Sequence, residues 1–305
     1  MIQSEPERPS LAGGRAASGS TIALALGGGG ARGLAHLHVL AAFEDLGLRP
    51  GHIAGTSIGA IVGAGAASGL SAAAIEDHVL AVLATRRHVF GTLWRTRPPT
   101  LAEFRAEGGF RLGQLNAERV VAAFLPPGLP PDFERLAIPL TVMATDFYGA
   151  SECAIETGDL VSALAASAAL PAIFRPVRRD GLVLVDGGIT NPLPFDVFGA
   201  STQVIVACDV TGGPERGVLP LPTPTEAMFG ASQLMMSAVI RAKLACKAPD
   251  ILVQPPVSTY RVLDFLQARR ILAETRGIRE DVKRRLGALL EAREATASPS
   301  PPESA

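Results

Sequence analysis

A serine set between two glycines, Gly55-Thr56-Ser57-Ile58-Gly59, is the pattern in this chain best suited to covalent chemistry. In a G-x-S-x-G sequence the serine sits on a sharp turn from strand to helix, with its Oγ exposed at the end of a sheet. Gly55 and Gly59 flank it because that turn is too tight for Cβ atoms at either position. The neighbours fit: His52-Ile53-Ala54 can close a short strand, and Ala60-Ile61-Val62-Gly63-Ala64 is small and apolar, as a helix packed on a sheet must be. In a chain with 32 glycines, the same pattern also describes a Gly-rich turn opening a buried helix. Its partners decide between the two.

A nucleophilic serine needs a base. The histidines are His36, His38, His52, His78 and His88. In α/β-hydrolases the order along the chain is Ser, then Asp or Glu, then His. No histidine lies beyond residue 88, so the usual triad order is not expected, and His78 or His88 could serve only through an unfamiliar arrangement. A carboxylate is the remaining choice. Asp186 ends the apolar strand Leu182 to Val185 and is followed by Gly187-Gly188. In a parallel sheet, that end of a strand is also where Ser57 should emerge. Held close and partly desolvated, such an aspartate rises toward a useful pKa. The plainer alternative for Asp-Gly-Gly is a hairpin turn.

A third group completes the chemistry. Gly27 to Gly33, GGGGARG, spells G-x-G-x-x-G through Gly28, Gly30 and Gly33. A dinucleotide site would need an acid at the end of the next strand, which ends instead in Gly55-Thr56-Ser57. A phosphate loop would need Gly-Lys-Ser/Thr, which is absent from the stretch. What remains is a set of backbone N–H groups at a helix N-terminus aimed at a developing negative charge, which beside a nucleophilic serine is an oxyanion hole, with the Ile58 N–H as a further donor.

These residues must be held by a frame. Thr21 to Leu26 is an apolar strand, Leu34 to Leu46 a helix closed by Gly47, and the strand into Ser57 follows. This βαβ unit predicts one α/β domain with a central, mostly parallel sheet. Strands are expected at 138–144, 151–155, 182–185, 203–208 and 251–253, and a helix at 159–170 with Asp159 as its cap. Glu226 to Lys247 reads as a long helix whose Met228, Met235 and Met236 look like an interaction face, although core packing is the commoner explanation, and Asp264 to Leu290 as an amphipathic helix. Residues 1–20 are expected to be a disordered extension, 21–290 the folded domain and 291–305 a tail.

Composition bounds the partners. Of 305 residues, 48% are hydrophobic and 19% charged, the balance of a globular protein, and a net charge of −1 leaves no footprint for nucleic acid. Cys153, Cys208 and Cys246 are dispersed and odd in number, and read as buried, reduced thiols of a cytoplasmic protein. Phe90, Trp94 and Arg95 belong to a basic aromatic stretch that could make a weak peripheral contact at the inner membrane face, although a solvated loop is the commoner meaning.

Gly28 to Gly33, Gly55 to Gly59 and Asp186 to Gly188, in this order, resemble the three signature blocks of patatin-like phospholipases, in particular the bacterial members and the catalytic domain of neuropathy target esterase. Ala144-Thr145-Asp146, Ala166-Ser167-Ala168 and Asn191-Pro192-Leu193-Pro194 fit the same pattern, over about Thr21 to Gly277. The resemblance implies a three-layer sandwich and a lipid acyl hydrolase that uses a Ser–Asp dyad and neither metal nor cofactor. It implies Ser57 as nucleophile, Asp186 as proton acceptor, and Gly28 to Gly30 with Arg32 adjacent as oxyanion hole. A catalytically silent lipid-binding or regulatory protein of the same fold is the rival from another class.

Overall fold

The computed structural model describes residues 22–83, 115–214 and 221–297. His88, the stretch of Phe90, Trp94 and Arg95, the N-terminal extension and the end of the tail lie outside the described residues.

Five consecutive apolar residues, Ile22–Leu26, form β1, which is buried along its whole length. It pairs in parallel with β2 (His52–Thr56) on one edge and with β7 (Val204–Cys208) on the other. β3 (Leu140–Asp146) lies parallel beyond β2, and β8 (Ile251–Val253) parallel beyond β7. β4 (Ser151–Ile155), β5 (Val177–Arg179) and β6 (Leu182–Asp186) make antiparallel pairs at the β3 side. The sheet reads β5-β6-β3-β2-β1-β7-β8, with β4 also on β3. It is the mostly parallel sheet expected.

Side chains alternate across it, as the two-residue period of a strand requires. Ile22, Leu24 and Leu26 face the larger core, with α1 (His36–Asp45), α2 (Ile58–Ala67), α5 (Leu160–Ser167) and, further along, α7 (Ala268–Thr275) and α8 (Gly277–Ala297). Ala23 and Ala25 face a smaller core with Leu193, Phe195 and Ile240 of α6 (Pro224–Cys246). Alanine suits this face because a segment of loop, 193–198, packs on it together with the helix. Two short helices, α3 (Ala72–Val82) and α4 (Ala117–Phe124), flank the larger core.

Five expectations change. The glycine stretch is a loop only to Gly29, because Gly30–Ala35 is already a 3-10 turn leading into α1. The helix expected over 264–290 is two, with the break where the Thr275 hydroxyl bonds back to the Ile271 carbonyl at 2.7 Å and Gly277 follows. The second of them runs to Ala297, into the stretch read as tail. Of the three methionines, Met228 and Met235 are exposed rather than in the core. Of the cysteines only Cys208 is buried, and all three are unpaired.

Candidate active site

Ser57 follows the last residue of β2 and caps α2 with φ 54 and ψ −120, a backbone conformation that costs a non-glycine residue roughly 1–3 kcal/mol. The fold compels it. A Cβ at Gly59 would lie 2.1 Å from the Leu26 carbonyl, so the first turn of α2 is pressed against the end of β1. The Ser57 N–H donates to Ser167 Oγ at 2.7 Å, which fixes the elbow to the C-terminus of α5. The Ser57 hydroxyl donates to Asp186 Oδ2 at 2.8 Å.

Asp186 reaches that position by a route different from the one expected. β6 is antiparallel to β3. β4 pairs with Val142–Asp146 of β3, so β2 and β6 must share the opposite edge. On it Thr56 stands opposite Met143 and Asp186 opposite Ala144. The two strands therefore meet head to head, and their C-terminal residues converge.

The carboxylate is pinned from several sides. Oδ1 accepts the Gly188 N–H at 2.7 Å, the Asp186 N–H donates to the Ala169 carbonyl at 3.1 Å, and its carbonyl accepts the Thr145 hydroxyl at 3.0 Å. Burial pushes its pKa up from 3.8 to about 6, against the opposing pull of the Gly188 N–H and the Ser57 hydroxyl. At neutral pH it is a carboxylate, and basic enough to take a proton.

The described histidines are committed elsewhere. Since a carbonyl only accepts, the Nε2–H of His36, His38 and His78 donates to Gly27, Leu272 and Phe124 respectively, and His52 Nε2 bonds Thr141 Oγ1.

The glycine loop runs beside the serine: a Cβ on Gly28 would sit 3.6 Å from Ser57 Cβ. Here one expected donor is withdrawn. The Gly28 N–H already donates to the Pro192 carbonyl at 2.9 Å. Gly29, Gly30 and Ile58 keep N–H groups with no acceptor among the described residues. Gly30 adopts φ 59, and a Cβ on it would meet the Val262 carbonyl at 2.1 Å. Arg32 is buried and its Nε donates to the Gly29 carbonyl at 3.0 Å. In a trans peptide the C=O and the next N–H point opposite ways, so this bond sets the direction of the Gly30 N–H. Burial lowers the Arg32 pKa to about 10, with Asp209 opposing, and the side chain stays a cation.

Met236 of α6 covers the site: its Cε would lie 3.6 Å from a Cβ on Gly28 and 3.1 Å from one on Gly188. No group of three or more His, Cys, Asp or Glu among the described residues is placed to hold a metal ion. The contacts that Ser167, the Gly188 N–H and Met236 make in the site were not read from the sequence. Ser167 sits in a run of small residues that its motif position marks but whose contact is with a residue 110 positions away.

A family model described as patatin-like phospholipase matches residues 24–198, which hold the glycine loop, Ser57 and Asp186. An uncharacterised NTE family protein of Mycobacterium tuberculosis is 35% identical over 212 residues, 68% of this chain and 54% of that protein. Patatin-like phospholipase domain-containing protein 7 of Rattus norvegicus is 27% identical over 277 residues, 82% of this chain and 20% of that protein. The chain thus spans about half the length of the first relative and a fifth of the second. Among solved structures, VipD from Legionella pneumophila gives a TM-score of 0.45 at 13% identity, covering 88% of this chain and 67% of that one.

Proposed function

The chain belongs to the patatin-like phospholipase family, and from that premise we propose that it hydrolyses carboxylic ester bonds of lipids, in the manner of a phospholipase A or lysophospholipase, through Ser57 and Asp186. The observation that carries the proposal is the 2.8 Å bond from the Ser57 hydroxyl to a buried carboxylate of raised pKa. Ser57 Oγ attacks the ester carbonyl carbon as its proton passes to Asp186 Oδ2. The oxygen of the tetrahedral intermediate is held by the Gly29, Gly30 and Ile58 N–H groups. Its collapse breaks the bond to the alcohol, which leaves with the proton from Asp186. Water then gives a proton to Asp186 and attacks the acyl-serine, releasing the acid and restoring the hydroxyl. A silent lipid-binding protein of this fold would have no need of a basic, buried Asp186 in contact with Ser57.

The charge on Asp186 supplies a test. The free enzyme is active with Asp186 ionised, so kcat/KM should fall tenfold per unit as pH drops below about 6. A profile flat down to pH 4.5, with the protein still folded, would remove Asp186 from the role of base.

A lipid substrate has to leave a lipid surface to reach Ser57. From Ala227 to Ile240, α6 has no charged residue. Its Met228, Leu234 and Met235 are nonetheless exposed, at 43%, 57% and 63%. We assign the weak peripheral membrane contact to this face, because an uncharged apolar helix face lies readily in the interfacial layer and Met236 of the same helix reaches the site. Met228→Glu with Met235→Glu should slow hydrolysis of phosphatidylcholine vesicles at least ~10-fold more than hydrolysis of a soluble ester, since two charges must then enter the interface. Equal slowing of both reactions would discard this assignment.

A further inference from the structure

We propose that Asn191 is the positioning residue that keeps Ser57 and Asp186 in register, an inference that rests on the roles given to those two residues above. In a triad the base is oriented by a third side chain. Here the carboxylate of Asp186 is oriented by the Gly188 N–H, which sits on the 3-10 turn Gly187–Ile189 beyond the end of β6. The strand ladder does not hold that turn, so something else must.

Asn191 grips both halves of the pair. Its backbone N–H donates to the Gly187 carbonyl at 2.8 Å, and its own carbonyl accepts the Thr56 hydroxyl at 2.7 Å. One residue is thus bonded to the neighbour of the base and to the neighbour of the nucleophile. The C-terminus of α5 joins the same two strand ends through Ser167 and Ala169, and Asn191 is the bridge that also holds the turn carrying the Gly188 N–H.

The side chain anchors this clamp. It is 0% exposed. Oδ1 accepts from Lys243 Nζ at 2.5 Å, and Nδ2 donates to Glu152 Oε2 at 2.9 Å and to Asp196 Oδ1 at 3.2 Å. Lys243 also pairs with Asp196 and donates to the Leu193 carbonyl. An ammonium can only donate and a carboxylate only accept, so this set of partners demands an amide and fixes which way it points. Aspartate would put a third carboxylate beside Glu152 and Asp196. Alanine would leave the partners with nothing to hold in place. A buried, satisfied asparagine can be purely structural. The two backbone bonds that straddle the reacting pair give this one its further role.

The test compares Asn191→Ala, Thr56→Val and wild type, with Ser57→Ala and Asp186→Asn as controls. Active sites are counted with a fluorophosphonate, so that turnover is read per competent site. Asn191→Ala should lower kcat at least ~30-fold with KM within ~3-fold, the pattern of a small misplacement of reacting groups. The acid limb of its kcat/KM profile should also move by about half a pH unit or more, because the Gly188 N–H no longer sits firmly on Asp186. Thr56→Val keeps the amide network and removes one bond, and should lower kcat about 10-fold. If Asn191→Ala does not fold, Thr56→Val decides alone. Folded variants with wild-type turnover per site and an unmoved acid limb would overturn the positioning role, whatever their melting temperatures. Activity surviving in the two controls would instead overturn the reading of Ser57 and Asp186.

Discussion

Ser57→Ala is expected to abolish hydrolysis of p-nitrophenyl esters, by ~10⁴-fold or more, while leaving the fold intact. Loss of a nucleophile removes the covalent route entirely, and what persists is the small assistance from binding and the oxyanion donors. The serine side chain contributes little to packing: the residue is only half-buried and its hydroxyl makes one bond, to Asp186. The strained φ of 54 is set by the pressed turn and is no worse for alanine than for serine. A steady-state assay and a circular dichroism spectrum check both halves. Activity within ~10-fold of wild type would reject the assignment, because no other route of that efficiency is expected.

Asp186→Asn is expected to cost at least ~100-fold in kcat, the usual worth of a positioned general base. It should also make the protein more stable at neutral pH. The folded pKa of Asp186, about 6, stands above the ordinary 3.8. Between those values the folded chain holds a proton that the unfolded chain has released, so stability falls as pH rises through the window and stays lower above it. At about 1.4 kcal/mol per unit, the penalty at pH 8 is up to roughly 3 kcal/mol. Asparagine has no such penalty: its Oδ1 can accept the Gly188 N–H and its Nδ2 can donate to Ser57 Oγ. Denaturant unfolding at pH 8 should therefore favour the variant, with the difference closing as pH falls toward 3.8. A variant less stable than wild type at pH 8 would mean that Asp186 supports the fold more than the chemistry.

The site was legible wherever its logic is local. The G-x-S-x-G turn and the Asp159 cap are each dictated by residues within a few positions of one another, and each forms where expected. Asp186 could be chosen because no histidine lies beyond residue 88, but not the way it arrives. Whether β6 runs with β3 or against it depends on a pairing across some forty residues, which no short pattern encodes. The same holds for the Gly28 N–H, taken by Pro192, and for the contacts of Ser167 and Asn191. Met228 and Met235 misled for a different reason. Apolar residues at helical spacing are read as core on average, and α6 turns part of that apolar surface outward.

The most direct measurement is the site and rate of covalent labelling by a fluorophosphonate, followed by intact mass and peptide mapping. The account predicts a single adduct on Ser57 in the wild-type protein, none in Ser57→Ala, and formation at least ~100-fold slower in Asp186→Asn because the hydroxyl has lost its base. An adduct on another residue, or labelling of Asp186→Asn at the wild-type rate, would contradict it.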